Sequence, residues 1–304
     1  MAEQYTLEFT CKNGTTETVP GIVRLVFKKD RFAPSTELRG HILWEGAASD
    51  IVRIRLTVGS RLIHDGYLEY ARQETGGGRP ELSFSSRGWS VLLSQNEPVP
   101  GINYQVDLAA LGALNTPIPN VTYESGTVTV NYISVKEHST IWDAIGAYAM
   151  KAYSSQPYIS GTNQVSVTGR AGQSRSYAAS QLISAGTVCD RRAMLSKGYM
   201  EDYDGQYSVS LDNPAAAGTG IVREKYFSFD RQWLASLQMG LQLRLDHSNR
   251  RSDMSFITLL GYRGEELFDS YTLSLPGQTL SRSIEGIALV AENGRTATTL
   301  YTMN

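Results

Sequence analysis

Short segments in which apolar and polar residues alternate recur along this chain, and they constrain its fold more than any other feature. In Ile51–Val58, one face carries Val52, Ile54, Leu56 and Val58, and the other carries Arg53, Arg55 and Thr57. A period of two is that of a β-strand with one buried face. Similar segments fill most of the first hundred and the last fifty residues, so the sequence predicts a chain rich in strands.

Turn signals separate these segments. Asp65-Gly66, Asp204-Gly205 and Asn293-Gly294 each lie between two predicted strands, and such pairs are typical of tight hairpin turns. The run Gly76–Gly78 is predicted to be a hairpin tip, because it lacks the Lys-Ser/Thr of a phosphate-binding loop and no helical pattern follows it.

Three segments show helical spacing. Gln105–Leu114 has room for two or three turns between prolines. In His138–Tyr153, one face carries Ile141, Ile145, Tyr148, Ala149 and Ala152, and Thr140 with Asp143 can form a capping box. The third pattern begins near Asp230, places Trp233, Leu234, Leu237 and Leu241 on one side, and leads into the charged stretch His247–Asp253.

These patterns predict a mainly β fold with α/β insertions: two small β-barrel-like domains related by pseudo-symmetry and joined by a helix-containing segment. We place the first barrel-like domain at residues 1–95 and the connecting α/β segment at 96–170. The second barrel-like domain is placed at residues 171–304, with a helical insertion near 228–252.

Composition narrows the class of protein. The net charge of -2 lacks the basic excess of a general nucleic-acid binder, and no apolar run approaches the roughly 20 residues of a membrane span. We expect no secretory leader, and Cys11 and Cys189 are expected to be reduced thiols of a protein made in a cytoplasm. The basic residues comprise 21 Arg and only 7 Lys beside 17 Tyr, a bias that either protein interfaces or a genomic preference for Arg codons would produce.

No residue pattern supports catalysis or metal binding. His41, His64, His138 and His247 are scattered and form no metal-ligand motif, and His64-Asp65 is interpreted as a turn pair rather than a catalytic dyad. Glu201, Asp202 and Asp204 lack the other ligands of a calcium loop, and the serine-hydrolase elbow is missing. We therefore assign no catalytic, cofactor-binding or metal residue and expect no enzyme. A glycosidase activity remains an alternative, since such an enzyme needs only two carboxylates facing a cleft.

Four segments, in this order, resemble the baseplate hub proteins of contractile phage tails and related injection particles, the late-control protein D type. They are Val52–Tyr67 with its Leu-Ile-His-Asp-Gly-Tyr ending, Ser86–Glu97, Val135–Ile145, and the region from Ser255 through Tyr271–Leu275 to the Ile287–Tyr301 hairpin. They are distributed along the chain from Val52 to Tyr301. The family's Gly-Asp before the strand at Tyr271 is Asp269-Ser270 here, and residues 171–225 match poorly.

The resemblance implies a structural protein without catalytic residues. Three copies would form a ring whose six barrel units seat a six-fold tail tube and whose three-fold face seats the central spike. The implied partners are sister subunits, the tube or tube-initiator protein and the spike, with tape-measure and baseplate wedge proteins as further candidates. DNA would only pass through the lumen, and no membrane insertion is expected. The implied location is the tail baseplate of a virion or particle that is assembled in the bacterial host cytoplasm.

Two alternatives remain open at this point. One is a carbohydrate-binding or cell-wall-degrading β-rich tail protein, suggested by the 17 Tyr, 4 Trp and abundant acids. The other is a distal-tail or tube-initiating component with different symmetry and neighbours. For a hub, we expect inter-subunit or partner contacts at Arg53, Arg55, Arg191, Arg192, Arg250 and Arg251, a choice made from residue type alone.

Overall fold

The computed structural model of the protein describes residues 5–76, 79–230, 233, 236–275, 278–292 and 294–303. Its strands are β1 (Tyr5–Cys11), β2 (Thr16–Thr18), β3 (Gly21–Asp30), β4 (Glu37–Leu43), β5 (Ile51–Val58), β6 (Arg61–Gly76), β7 (Arg79–Gly88), β8 (Gly101–Val106), β9 (Thr122–Tyr123), β10 (Val130–Val135), β11 (Tyr158–Ser160), β12 (Gln164–Ser166), β13 (Ser174–Ala178), β14 (Leu182–Val188), β15 (Lys197–Met200), β16 (Val209–Asp212), β17 (Glu224–Phe227), β18 (Met254–Leu260), β19 (Ser270–Leu275), β20 (Gln278–Ser283), β21 (Gly286–Glu292) and β22 (Arg295–Met303). The α-helices are α1 (Leu108–Gly112), α2 (Ile141–Tyr153) and α3 (Leu237–Asn249).

Strands account for 48% of the residues and helices for 16%, which confirms the predicted mainly β fold with few helices. In the described ranges, no helix combines the length and the apolar character needed to cross a membrane.

The chain forms two compact units. The first comprises Met1–Ser184 and Ile257–Tyr301, and the second comprises Ala185–Phe256 and Thr302–Asn304. The largest sheet has eleven strands in the order β14-β18-β22-β21-β3-β4-β7-β6-β5-β1-β2. One face of it packs around buried Leu7, Phe9, Leu25, Leu56 and Phe84. A separate core in the first unit lies between α1, α2 and the β8–β10 pair, with Ile141, Ile145 and Tyr148 fully buried.

One pairing joins the two ends of the sequence. Strand β3 pairs with β4 on one side and with β21 on the other, with Leu25 opposite Ala291 and Phe27 opposite Leu289. The contacts therefore group residues 1–184 with 257–301, a grouping that differs from the three consecutive segments predicted at 1–95, 96–170 and 171–304. Those boundaries, and the pseudo-symmetry of the two barrel-like segments, stay predictions.

The alternation in β5 is confirmed, with one correction. Ile54, Leu56 and Val58 are buried as expected, but Ile51 is buried instead of Val52. The pairing with β1 places Cys11 opposite Ile51 and Thr10 opposite Arg53, so Val52 is an extra residue at a β-bulge. A bulge shifts the alternation by one residue, which explains why Val52 is exposed.

The predicted turn at Asp65-Gly66 is wrong. The β5–β6 hairpin turns at Gly59-Ser60, where Gly59 has a φ of +60°, and both Asp65 and Gly66 lie within β6. Gly66 is required for a different reason: a Cβ at this position would lie 2.1 Å from the carbonyl oxygen of Arg87 on β7. Close backbone approach, rather than turn conformation, therefore explains this glycine.

The predicted helices are present, but their first and last residues differ from those predicted. Helix α2 begins after Thr140, whose Oγ1 accepts the Asp143 N–H while the Asp143 carboxylate accepts the Thr140 N–H, forming the predicted capping box. Helix α3 begins at Leu237, later than predicted, because Ser236 caps it by accepting the Met239 N–H. It also includes His247, which was placed in the charged stretch after the helix. Leu234 lies outside the described residues, as do Gly77, Gly78 and Asn293 of the predicted turns.

The second unit has its own small sheet, in the order β16-β15-β17. Helix α3 packs on one face of this sheet: Leu241 and Leu245 are fully buried and lie against Gly198 of β15. The predicted hairpin at Asp204-Gly205 is confirmed, since β15 and β16 are antiparallel and Gly205 has a φ of +76°.

Candidate functional site

A buried histidine is held between two hydroxyl groups in the first unit. The Nδ1 of His64 lies 2.9 Å from Thr36 Oγ1, and its Nε2 lies 2.8 Å from Ser86 Oγ. All three residues are fully buried. Burial lowers the pKa of the His64 imidazole to about 3, so the ring is neutral at physiological pH. Because no substrate reaches a fully buried hydroxyl, this Thr-His-Ser arrangement holds strands together.

The neighbouring Asp65 is paired with Arg53 rather than with His64, and its charge only partly opposes the effect of burial on the pKa of His64. Its carboxylate forms two 2.7 Å hydrogen bonds with Nε and Nη2 of Arg53, a bidentate ion pair. The hydrogen bond to Asp65 is the main cause that raises the pKa of Arg53. The guanidinium group of Arg53 therefore binds a carboxylate of its own chain. Arg55 lies on the same face of β5 as Arg53 and is half-buried, and its Nε atom has no hydrogen-bond partner among the described residues.

A second polar cluster surrounds Asp269 at the start of β19. Its carboxylate is fully buried and accepts hydrogen bonds from Arg170 Nη2 at 2.6 Å and Arg175 Nε at 2.7 Å. It also accepts the main-chain N–H groups of Gln173 and Glu266. Two guanidinium groups and two amides satisfy this single carboxylate, so the cluster fastens residues 170–175 to the loop before β19.

Lys29 forms a related contact at the end of β3. Its ammonium lies 2.5 Å from Glu266 and donates to the carbonyl of Gly161 at 2.7 Å. Burial lowers the pKa of Lys29, and the charge of Glu266 opposes that shift. These contacts are structural, because each polar group is satisfied by another part of the same unit.

Four of the six arginines chosen from the sequence come together in the second unit. Arg191 and Arg192 follow β14, Arg250 and Arg251 follow α3, and the N–H of Asp190 donates to the carbonyl of Arg251 at 3.0 Å. We call these four residues the arginine cluster. Arg223 supports it by donating to the carbonyls of Arg192 and Met194, both at 2.7 Å. Sequence reasoning chose the residues by type, and it had no signal for their proximity.

An exposed aromatic face lies on the small sheet of the second unit, whose strand order is β16-β15-β17. Tyr199 and Tyr226 are register partners on β15 and β17, and their rings stack 4.4 Å apart at an angle of 5°. Tyr207 meets Tyr226 edge-on at 5.1 Å. Tyr226 is 57% exposed. Sequence reasoning missed this face, although the high tyrosine count was a general signal for it.

The remaining candidate ligands serve local structure. Asp202 Oδ1 accepts the N–H groups of Asp204 and Gln206, and Glu201 accepts that of Phe229, so these acids build a turn. His41 lies beside Ser83 and Glu81 on the surface of the main sheet. In the portion of the chain that the structure describes, no three His, Cys, Asp or Glu side chains are grouped as a metal site requires.

The fold is similar to that of solved tail proteins. No family model and no curated protein matches the sequence, but solved structures match over nearly the whole chain. The tail protein from Neisseria meningitidis MC58 is 14% identical, with a TM-score of 0.71 over 99% of this chain and 96% of that one. The 43 kDa tail protein of prophage MuSo2 from Shewanella oneidensis is 13% identical, with a TM-score of 0.70 over 99% and 98%.

A secretion component shares the fold at a greater distance. The Escherichia coli c3393 protein, a component of the type VI secretion system that is described as similar to the bacteriophage T4 tail proteins gp27 and gp5, is 7% identical. Its TM-score is 0.55 over 93% of this chain and 73% of that one. The expected resemblance to tail and injection-particle proteins is therefore confirmed at the level of the fold.

Proposed function

We propose that the protein is a structural component of a tail baseplate: the hub, a trimeric ring that adapts the six-fold tail tube to the three-fold central spike. The observation that carries this proposal is the whole-chain match to two tail proteins, with TM-scores of 0.71 and 0.70. Because these matches span 99% of the chain, they include the main sheet, the helical segment and the small second unit together.

The main sheet supports an assembly role. Among the described residues, the sheet ends at β2 on one side and β14 on the other. All three residues of β2 are exposed, and Ile183 of β14 is 55% exposed. Sheet edges attract further strands unless they are covered, and a ring of subunits covers them without leaving a free end. Sister subunits are therefore the first proposed partners.

The same proposal names the other partners and the location. They are the tube or tube-initiator protein and the spike, with tape-measure and wedge proteins as further candidates. The near-neutral charge of -2 suits a conduit through which DNA passes without being held. The protein would act in the baseplate of a virion or injection particle that is assembled in the host cytoplasm, without inserting into a membrane.

The proposal contains no catalytic step. The arrangement closest to a catalytic triad is Thr36-His64-Ser86, and burial keeps both its hydroxyls and its imidazole away from any substrate. Geometry between subunits, rather than reactivity, would be the function of this chain.

Light scattering after size-exclusion chromatography tests the hub role. The purified protein is expected to have a mass of three times 33.5 kDa, either alone or after mixing with its spike and tube-initiator proteins. Class averages from electron microscopy should then show a three-fold ring. A chain that stays monomeric and joins neither partner would contradict the proposal, and a six-fold ring would favour a distal-tail or tube-initiating component.

A second candidate function rests on the exposed tyrosine face. Aromatic rings on a sheet surface can pack against sugar rings, so the cluster of Tyr199, Tyr207 and Tyr226 favours a carbohydrate-binding tail protein as the alternative. Incubation with peptidoglycan and purified glycans decides this: retention would favour binding, and release of soluble sugar would favour a wall-degrading activity.

A further inference from the structure

The second unit carries opposite charges at the two ends of one strand. The arginine cluster lies near the start of β15, and the turn of residues 201–206 follows its end. Strand β15 has four residues, so about 13 Å of strand separates the two features. The arginine cluster and the acidic turn therefore lie at opposite ends of β15.

The arginine cluster has an excess of positive charge. Two acidic residues, Asp190 and Asp253, lie within a few positions of its four arginines in the sequence. Asp190 is occupied by a bidentate ion pair with Arg192, at 2.9 Å to Nε and 2.6 Å to Nη2. The side chain of Arg192 is nevertheless 90% exposed, and Arg191 and Arg251 are exposed as well. This surface presents guanidinium groups that can bind carboxylates and aromatic rings.

The opposite turn has the complementary chemistry. It contains Glu201, Asp202 and Asp204 and no basic residue. Tyr203 at its tip is 85% exposed, and its ring meets that of Phe229 at an angle of 82° with the centroids 6.0 Å apart. Asp202 is used inside the turn, which leaves the tyrosine ring and the carboxylate of Asp204 on the outside. We call Tyr203 and Asp204 the acidic tip.

We propose that the arginine cluster of one protomer binds the acidic tip of the next copy of this chain. The contact is heterologous, because it joins two different surfaces of the same chain, and such contacts generate rings when the rotation closes. Asp204 would pair with Arg191 or Arg251, and Tyr203 would lie under a guanidinium group. This inference rests on the proposed ring, and it names the contact that orients one subunit against the next.

Charge reversal with rescue tests the contact. The double variant Arg191→Glu/Arg251→Glu and the single variant Asp204→Arg should each raise the dissociation constant of the trimer roughly tenfold or more, measured by sedimentation velocity. Combining all three substitutions in one chain should restore assembly. The matched controls are Arg79→Glu and Glu45→Arg, both exposed in the first unit, which should leave the trimer unchanged. Circular dichroism verifies that each variant is folded.

The outcomes separate this inference from the hub proposal. Loss of the trimer in both variants, restored in the combined chain, supports the contact. A trimer that tolerates both reversals overturns the contact and leaves the hub proposal standing. A trimer that tolerates both reversals but no longer binds the spike or the tube protein assigns the arginine cluster to an acidic partner instead. A wild-type protein that is monomeric alone and with its partners overturns both.

Discussion

The side chain of Asn163 donates a hydrogen bond from Nδ2 to the main-chain carbonyl of Asp65, at 2.8 Å and across 98 residues of sequence. Its Oδ1 accepts the N–H of Ser90 at 3.3 Å, and the residue is 3% exposed. One amide thus connects the turn after β11 to β6 and to the chain after β7.

Asn163→Ala is expected to lower the free energy of unfolding by about 2 kcal/mol, because it leaves a buried carbonyl and a buried N–H without their partner. Asn163→Asp should destabilise the protein further, since a carboxylate cannot donate to the Asp65 carbonyl. Urea denaturation followed by circular dichroism measures both variants. Asn103→Ala on β8 is the control, and an equal loss in that control would refute a specific role for Asn163.

The buried imidazole of His64 predicts a dependence of stability on pH. The folded protein holds this ring neutral with a pKa of about 3, whereas the ordinary value is 6.5. Between these two values the unfolded chain takes up a proton that the folded chain does not. The contribution of His64 is fully present above pH 6.5 and decreases as the pH falls, by about 1.4 kcal/mol per pH unit.

Nuclear magnetic resonance checks this prediction directly. The ring signals of His64 should remain at their neutral positions down to pH 4 in the folded protein. In urea the same ring should titrate near its ordinary value. A folded-state titration near pH 6.5 would show that the ring is accessible and would reopen a chemical role for the Thr36-His64-Ser86 arrangement.

Asp269→Asn tests the polar cluster at the start of β19. The variant removes the negative charge between Arg170 and Arg175, and it should cost about 3–5 kcal/mol because the guanidinium groups lose their buried partner. Thermal denaturation measures the loss. Glu45→Gln makes the same change of charge at an exposed site and should have little effect. Equal melting temperatures for the two variants would contradict the role of the cluster.

Two glycines offer a paired test of packing. Alanine at Gly66 would place Cβ 2.1 Å from the Arg87 carbonyl oxygen, so Gly66→Ala should destabilise the protein by about 3 kcal/mol or more. Gly146 lies within α2 and has no atom within 4 Å of an added Cβ. Gly146→Ala should therefore stabilise the protein by about 1 kcal/mol. Melting temperatures that move in the same direction would contradict this interpretation.

Local patterns were sufficient to predict the local elements. The alternation in β5 and the capping box at Thr140 and Asp143 act within a few residues, and both are present in the structure. The failures arise where a distant segment decides the outcome. Gly66 is explained by Arg87 on β7 rather than by a turn, and Val52 is exposed because β1 pairs across a bulge.

The candidate surfaces were predictable by residue type and not by position. The partner contacts expected at the six arginines stay predictions: Arg53 is paired with Asp65 in its own chain, whereas Arg191 and Arg251 come together across 60 residues of sequence. Pairing of β14 and α3 with their neighbours creates that proximity, and no short motif encodes it. The stacked Tyr199 and Tyr226 arise in the same way, from the register of β15 and β17.

The position of β3 between β4 and β21 has a consequence for synthesis in the cell. A ribosome releases β3 and β4 early, but the partner on the other side of β3 ends at Glu292, near the end of the chain. Until those last residues emerge, one side of β3 stays unpaired and the growing polypeptide cannot complete its largest sheet. Prematurely terminated products would therefore lack a finished sheet and would leave one side of β3 exposed to non-native pairing.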